Sequence, residues 1–164
     1  MIITTEMLQS KSACNDGMRW FADHWPDGVE MQAALDQAVK DDKEDYADWL
    51  LDKFGATTEV VSIDGDLIAE GAVYFAGSVI VSGSVRVRKL RAGLGIEAGL
   101  GIEAGWGIKA GSGIEAGWGY GIFAGLKIRI ANWRVDARVS AKTPPANVMT
   151  GHVVIADDQK QEAS

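Results

Sequence analysis

Proline is nearly missing from this chain, at 3 residues in 164, and histidine and cysteine are scarcer still, at 2 and 1. Each shortage excludes something. Glycine is abundant (20 residues), but without proline it makes neither a collagen nor a proline-rich linker. The lone Cys14 excludes an intrachain disulfide and the paired-cysteine zinc motifs. His24 and His152 stand in no triad spacing. There is no phosphate loop and no dinucleotide fingerprint. No apolar run is long enough to span a membrane. Met1-Ile2-Ile3-Thr4-Thr5-Glu6 lacks the basic start and apolar stretch of a secretory leader. The expectation is a non-enzymatic protein with no cofactor and no metal, in the reducing cytoplasm of a bacterium or of a phage-infected cell.

Positive charge is also short, with a net charge of −7. A pI near 4.8 opposes tight nucleic-acid affinity, so direct nucleic-acid binding is not expected. The balance is uneven: −8 over residues 1–60, +3 over 61–142 and −2 over 143–164. An acidic body joined to a mildly basic one points to electrostatic docking on a partner, although surplus acid on soluble helices serves solubility equally well.

What is present comes in two styles. Residues 1–58 read as short helices. Thr5 and Ser12 are candidate caps. Cys14, Met18 and Phe21 fall on one helical face, which predicts a buried structural thiol rather than a nucleophile. Pro26-Asp27-Gly28 is a turn. Met31, Ala34, Leu35 and Ala38 form the stripe of a third helix, and Tyr46, Trp49, Leu50 and Phe54 that of a fourth, closed by Gly55. So little apolar surface needs support, and these helices are expected to pack on the module that follows and to cap it.

From Gly65 the sequence divides into blocks of six, and glycine opens ten of the thirteen blocks up to Lys142. Apolar residues alternate inside the blocks: Leu67 and Ala69, Val73 and Phe75, Val79 and Val81, Val85 and Val87, then Ile96, Ala98, Leu100, Ile102, Ala104 and Trp106. Period two means strands with one buried face, and period six means a corner after each short strand. Glycine suits such corners through positive φ or close backbone approach. The phase changes by an odd number near Arg88-Lys89-Leu90-Arg91, which predicts a break, bulge or change of side with the basic residues outside. Coils of eighteen residues and of twelve both fit; twelve would stack Trp106 on Trp118 and set Glu97 beside Lys109. Thr143-Pro144-Pro145 should stop the coil. His152 to Ala156 reads as a last strand and Asp157 to Ser164 as a polar tail. The fold class expected is α+β: a small all-helical N-terminal head (1–58), a parallel β-solenoid of six-residue repeats (59–142), and a C-terminal strand and tail (143–164).

Two charged groups are candidate partner-binding sites. Asp36, Asp41, Asp42, Glu44, Asp45, Asp48 and Asp52 crowd the head, with Asp41, Asp45, Asp48 and Asp52 at helical spacing. Such a row could imitate a phosphate backbone in a partner's basic groove, or be an ordinary acidic helix surface. In the repeat, Arg86, Arg88, Lys89 and Arg91 form one basic cluster and Lys127, Arg129, Arg134 and Arg138 another, near Trp106, Trp118 and Trp133. Asp64, Asp66 and Glu70 offer oxygen ligands but lack a calcium-loop pattern, so a solvated turn is expected.

The hexads resemble those of hexapeptide-repeat acyltransferases, which are left-handed β-helices. Those enzymes use an interface histidine, and none occurs between Gly65 and Lys142. Gly77-Ser78-Val79-Ile80-Val81-Ser82-Gly83-Ser84-Val85-Arg86-Val87 resembles the cytoskeletal bactofilins, whereas the tandem Gly-Ile-Glu-Ala-Gly blocks do not. The pairing of Ser10-Lys11-Ser12-Ala13-Cys14 through Phe21 with blocks such as Gly113-Ile114-Glu115-Ala116-Gly117-Trp118 resembles small phage and prophage proteins. That resemblance implies an inhibitor of a host defence or nucleic-acid-processing complex, of the anti-CRISPR type. Its expected partner is a host protein or nucleoprotein complex. A self-assembling homo-oligomeric scaffold and a repeat-type acyltransferase are the alternatives.

Overall fold

The computed structural model describes residues 1–117, 122–124, 138–141 and 152–155. The chain opens with β1 (Ile2–Ile3), which pairs antiparallel with β2 (Val29–Glu30) and closes a loop around two helices. The first helix, α1 (Thr5–Ser10), is capped by Thr4, one residue before the expected cap; its hydroxyl accepts from the Met7 N–H at 3.4 Å. The second, α2 (Asn15–His24), is capped by Cys14 and not by Ser12, which sits at φ 60° in the preceding turn. Helix α3 (Met31–Lys40) buries Met31, Ala34, Leu35 and Ala38, the stripe read from sequence. Helix α4 (Glu44–Phe54) buries Ala47, Leu50 and Leu51, while Tyr46, Trp49 and Phe54 are partly buried beside them. Gly55 ends it at φ 75°.

The strands that follow form a parallel β-solenoid of about three turns. One side stacks β3 (Val60–Ile63), β6 (Ser78–Val81), β8 (Ile96–Ala98) and β10 (Ile114–Ala116). The other two sides share the long strands β7 (Val85–Ala92) and β9 (Ile102–Ala110). Strand β4 (Leu67–Ile68) pairs with the first half of β7, and β5 (Ala72–Phe75) with the second half. Strand β11 (Ile122–Ala124) pairs with the start of β9. Apart from the solenoid, β12 (Arg138–Ala141) and β13 (His152–Ile155) pair with each other in parallel. The expected stop at Thr143-Pro144-Pro145, the tail from Asp157, and Trp118 and Trp133 lie outside the described residues.

Strand partners sit eighteen residues apart in several registers, as in Val60↔Ser78 and Ile96↔Ile114, and twenty apart where β11 meets β9, as in Ile122↔Ile102. In the middle coil the spacing drops to seventeen, as in Val79↔Ile96 and Ala72↔Lys89, with a register shift between Val87 and Lys89. That missing residue is the odd phase change of the sequence. The irregularity absorbs it, so the side chains do not change face. Val79, Val81, Val85 and Val87 before it, and Leu90, Ala92, Ile96, Ala98, Ile102 and Ala104 after it, all stay in one core. Trp106 does not join them; it is 50% exposed, with the Arg88 guanidinium 4.4 Å above its ring.

Close approach, not positive φ, explains Gly77, Gly83, Gly93, Gly99, Gly111 and Gly117, where a Cβ would stand within 2.3 Å of another atom. Among the described residues of the repeat, only Gly65 has φ in the left-handed region. At Gly99, by contrast, a Cβ would stand 2.1 Å from the Ser82 carbonyl oxygen of the coil beneath.

The helices share their core with the solenoid. Ala72, Tyr74 and Ala76 point out of the coil and pack with Ile3, Leu8, Phe21, Met31, Leu35 and Leu50. One contact fixes the height of the head. The Gln32 side chain donates to the Tyr74 carbonyl and accepts from the Ala76 N–H, both at 2.8 Å, so that it occupies the place of a neighbouring strand on the outer edge of β5.

Candidate interaction surfaces

The sequence reading treats the acidic head and the basic cluster at residues 86–91 as two sites. The structure brings most of their charge together. On the outer face of β7, Arg91 stands in a column between Tyr74 below and Lys109 above. Glu44, Asp48 and Asp52 recur every four residues along α4 and meet that column. Arg88 pairs with Glu44, Lys89 with Asp48 at 2.8 Å and Glu44 at 3.6 Å, Arg91 with both Asp48 and Asp52, and Lys109 with Asp52 at 3.3 Å. The Tyr74 hydroxyl accepts from Lys89 at 2.6 Å and donates to Asp48 at 3.2 Å. Arg91 also donates to the Asp48 main-chain carbonyl and is only 5% exposed.

Burial tends to raise the Asp48 carboxyl, but the bonds from Lys89 and Arg91 outweigh it and hold the group below its ordinary range. Asp52 behaves likewise: burial is overcome by Arg91 and Lys109. Burial would lower Lys89, yet its bonds to Asp48 and Tyr74 keep it above its ordinary value. The basic residues at the phase break lie outside the coil, as expected, but they are not left to solvent. Arg88, Lys89 and Arg91 bind the head.

The face of helical carboxylates is also corrected. The row on α4 is Glu44, Asp48 and Asp52, because the helix begins at Glu44 and leaves Asp41 outside it. Asp41 ends α3. It accepts from the Trp20 indole and from Gln37, each at 2.8 Å, and lies 3.3 Å from the His24 ring; the indole bond leads in lowering its carboxyl. Asp36 is exposed and accepts from Gln32 at 2.8 Å, and Asp42 is exposed at φ 56° in the α3–α4 turn. Asp45 is exposed on the side of α4 away from the solenoid. In the repeat, Arg86 pairs with Glu103 at 3.0 Å on the surface. Arg138 falls in β12. Lys127, Arg129 and Arg134 lie outside the described residues.

Cys14 also departs from expectation. It is exposed, its Sγ accepts from the Gly17 N–H at 3.3 Å, and it lines a cleft of about 370 Å³ with Leu8, Trp20, Phe21, Tyr46 and Trp49. Asp64 and Asp66 bond the next coil, accepting from the Ser82 hydroxyl at 3.0 Å and the Ser84 N–H at 2.7 Å. Among the described residues no three acidic, His or Cys side chains are gathered to hold a metal ion, and no helix is long and apolar enough to cross a membrane.

Sequence reasoning missed Gln32, Tyr74 and Lys109. Tyr74 and Lys109 are seventeen residues before and eighteen after Arg91, so fixing the coil length would have aligned all three. Nothing in the sequence marks Gln32.

The fold and these contacts define a helical head docked on a parallel β-solenoid. Residues 1–58, the head, match the family model of the YdhT N-terminal domain. No curated protein and no solved structure matches the chain.

Proposed function

We propose that this is a non-enzymatic protein-interaction module of the cytoplasm, a phage-type inhibitor that docks on a host defence or nucleic-acid-processing complex. In this reading the glycine-cornered six-residue repeat is a rigid mount with three sides to each eighteen-residue coil. The observation that carries the reading is the seam between α4 and β7. Its ion pairs and the shared core fix the head, so the carboxylates on the outside of α3 and α4 become a preorganised surface, which lowers the ordering cost of binding. Asp36, Asp42 and Asp45 are the recognition residues. Glu44, Asp48 and Asp52 hold the head in place. A basic groove on the partner is the complementary surface.

The test is affinity capture from bacterial lysate with the full chain and with a D36K/D42K/D45K variant. A partner retained by the first and lost by the second supports the proposal. Equal capture by both, or a captured partner with no role in defence or nucleic-acid processing, overturns it.

A further inference from the structure

The two ends of the first coil's edge are treated differently. At β5 the edge is closed by Gln32. At β3 and β4 it is open, since both are terminal strands of their sheets among the described residues. The direction of the unpaired groups follows from the ladder. The Glu59 and Ile63 carbonyls accept from Ser78 and Ser82, and the Leu67 and Ala69 N–H groups donate to Ser84 and Arg86. These residues therefore face the next coil. Main-chain groups alternate along a strand, so those of Val60, Ser62 and Ile68 point to the open edge.

The side chains there are those of a binding strand rather than of a protected edge. Val60 is 56% exposed, Ile68 65%, and Val61, paired with the buried Val79 of the next coil, 37%. No lysine or proline lies between Glu59 and Glu70 to block pairing. The charge is of one sign: Glu59, Asp64, Asp66 and Glu70 are all exposed. Among the described residues none of the four is within ion-pair distance of a cation. A second copy at this edge would bring an equally acidic strand alongside, which disfavours self-association through it.

We infer that β3 and β4 form a docking edge for an extended basic peptide segment of a partner, added beneath the first coil as two short strands, one along β3 and one along β4, joined by a bend at the Gly65 corner. Its main chain bonds Val60, Ser62 and Ile68, its apolar residues cover Val61 and the exposed end of the core, and its Lys or Arg residues meet Glu59 and Glu70. The inference rests on the reading of the protein as an interaction module and names a second face with its partner chemistry.

The probe is a synthetic peptide of about ten residues, strand length with a margin, that alternates valine with lysine. Its controls are the valine–glutamate analogue and a copy N-methylated at alternate residues. Expected are binding of the basic peptide about tenfold or more tighter than either control, and slowed hydrogen exchange at residues 60–68. A V60K/I68K variant, altered only at exposed side chains, should lose this binding by about tenfold or more with an unchanged melting curve. Equal binding of both charges, protection elsewhere in the chain, or concentration-dependent dimerisation that V60K/I68K abolishes would overturn the inference. Lysate capture separates the two proposals. If V60K/I68K retains the lysate partner as well as the full chain does, the edge proposal fails and the interaction-module reading stands. If the basic peptide binds the edge and the lysate yields no partner, the edge stands and the inhibitor reading fails.

Discussion

Arg91 points away from the solenoid interior and is nonetheless almost fully covered, because Asp48, forty-three residues earlier in the chain, lies over it and accepts from it through both side chain and main chain. An arginine in this position holds the head only while its counter-charge remains. Removing one member of a buried pair leaves the other desolvated and uncompensated.

Asp48→Ala is therefore expected to destabilise the protein by about 2 kcal/mol. This is below the 3–5 kcal/mol of a fully buried pair, because Asp48 is partly exposed and Asp52 still reaches Arg91. Urea unfolding measures it. Asp48→Ala combined with Arg91→Met should recover part of the loss, and strict additivity would show that the two residues do not interact.

The pH dependence has a defined sign. Asp48 and Asp52 are held below the ordinary carboxyl value. Their contribution is present above about pH 4 and disappears as the pH falls through their depressed values. Lys89 is held above 10.5, so its contribution is present below that pH and disappears as the pH rises through the raised value. The urea midpoint should be flat from about pH 5 to about pH 8 and fall on either side, the Met1 amino group, held above its ordinary value by Glu30, preceding Lys89 on the alkaline limb. Asp48→Asn should flatten the acid limb. An acid limb identical to that of the unaltered chain would remove Asp48 from the account.

Gln32 makes two bonds that no aliphatic residue can replace. Gln32→Leu leaves the Ala76 N–H and the Tyr74 carbonyl without partners and should destabilise by about 2 kcal/mol, read from thermal or urea unfolding. Gln32→Glu keeps the acceptor for Ala76 but sets a carboxylate oxygen against the Tyr74 carbonyl and the Asp36 carboxylate, so a loss at least as large is expected at neutral pH. Equal stability of all three proteins would show that water satisfies the edge.

Much of this architecture is legible in the sequence. Parallel coiling follows from strict alternation between glycine corners, and the interruption at Arg88 from the switch of Val85 and Val87 to Ile96 and Ala98. The coil length is not legible, because multiples of six all preserve the glycine register. Without that length, Tyr74, Arg91 and Lys109 cannot be recognised as neighbours, nor Asp48 as their counter-charge. Cys14 was misplaced for a local reason. Its spacing to Met18 and Phe21 is helical, but it stands at the cap, where the side chain turns back to its own helix instead of into the core. Trp106 was misplaced because an alternation rule assigns a face without regard to the bulge beside it.

The glycines can be told apart by experiment. Gly99→Ala places a methyl against the Ser82 carbonyl, whereas a methyl at Gly71 meets nothing within 4 Å. The first should destabilise by about 2 kcal/mol or more. The second should be neutral or stabilise by up to about 1 kcal/mol through a less flexible unfolded chain. Equal effects at both positions would argue against stacked coils in contact at that corner.

Thr57 supplies a complementary test. Its hydroxyl is buried and has no hydrogen-bond partner among the described residues. Thr57→Val should leave stability unchanged or raise it by up to about 1 kcal/mol, and a clear loss in urea unfolding would mean that the hydroxyl is bonded in solution.

A helical lid keyed to the first coil by Gln32 makes the molecule a column whose own chain can be lengthened only upward. Duplicating residues 95–112 would add a storey of eighteen residues, lifting every later coil without disturbing the lid. The same duplication between Gly55 and Ala72 would pry Gln32 from β5 and Asp48 from Arg91. Length should therefore be adjustable in whole storeys above the Asp48–Arg91 seam and be fixed below it.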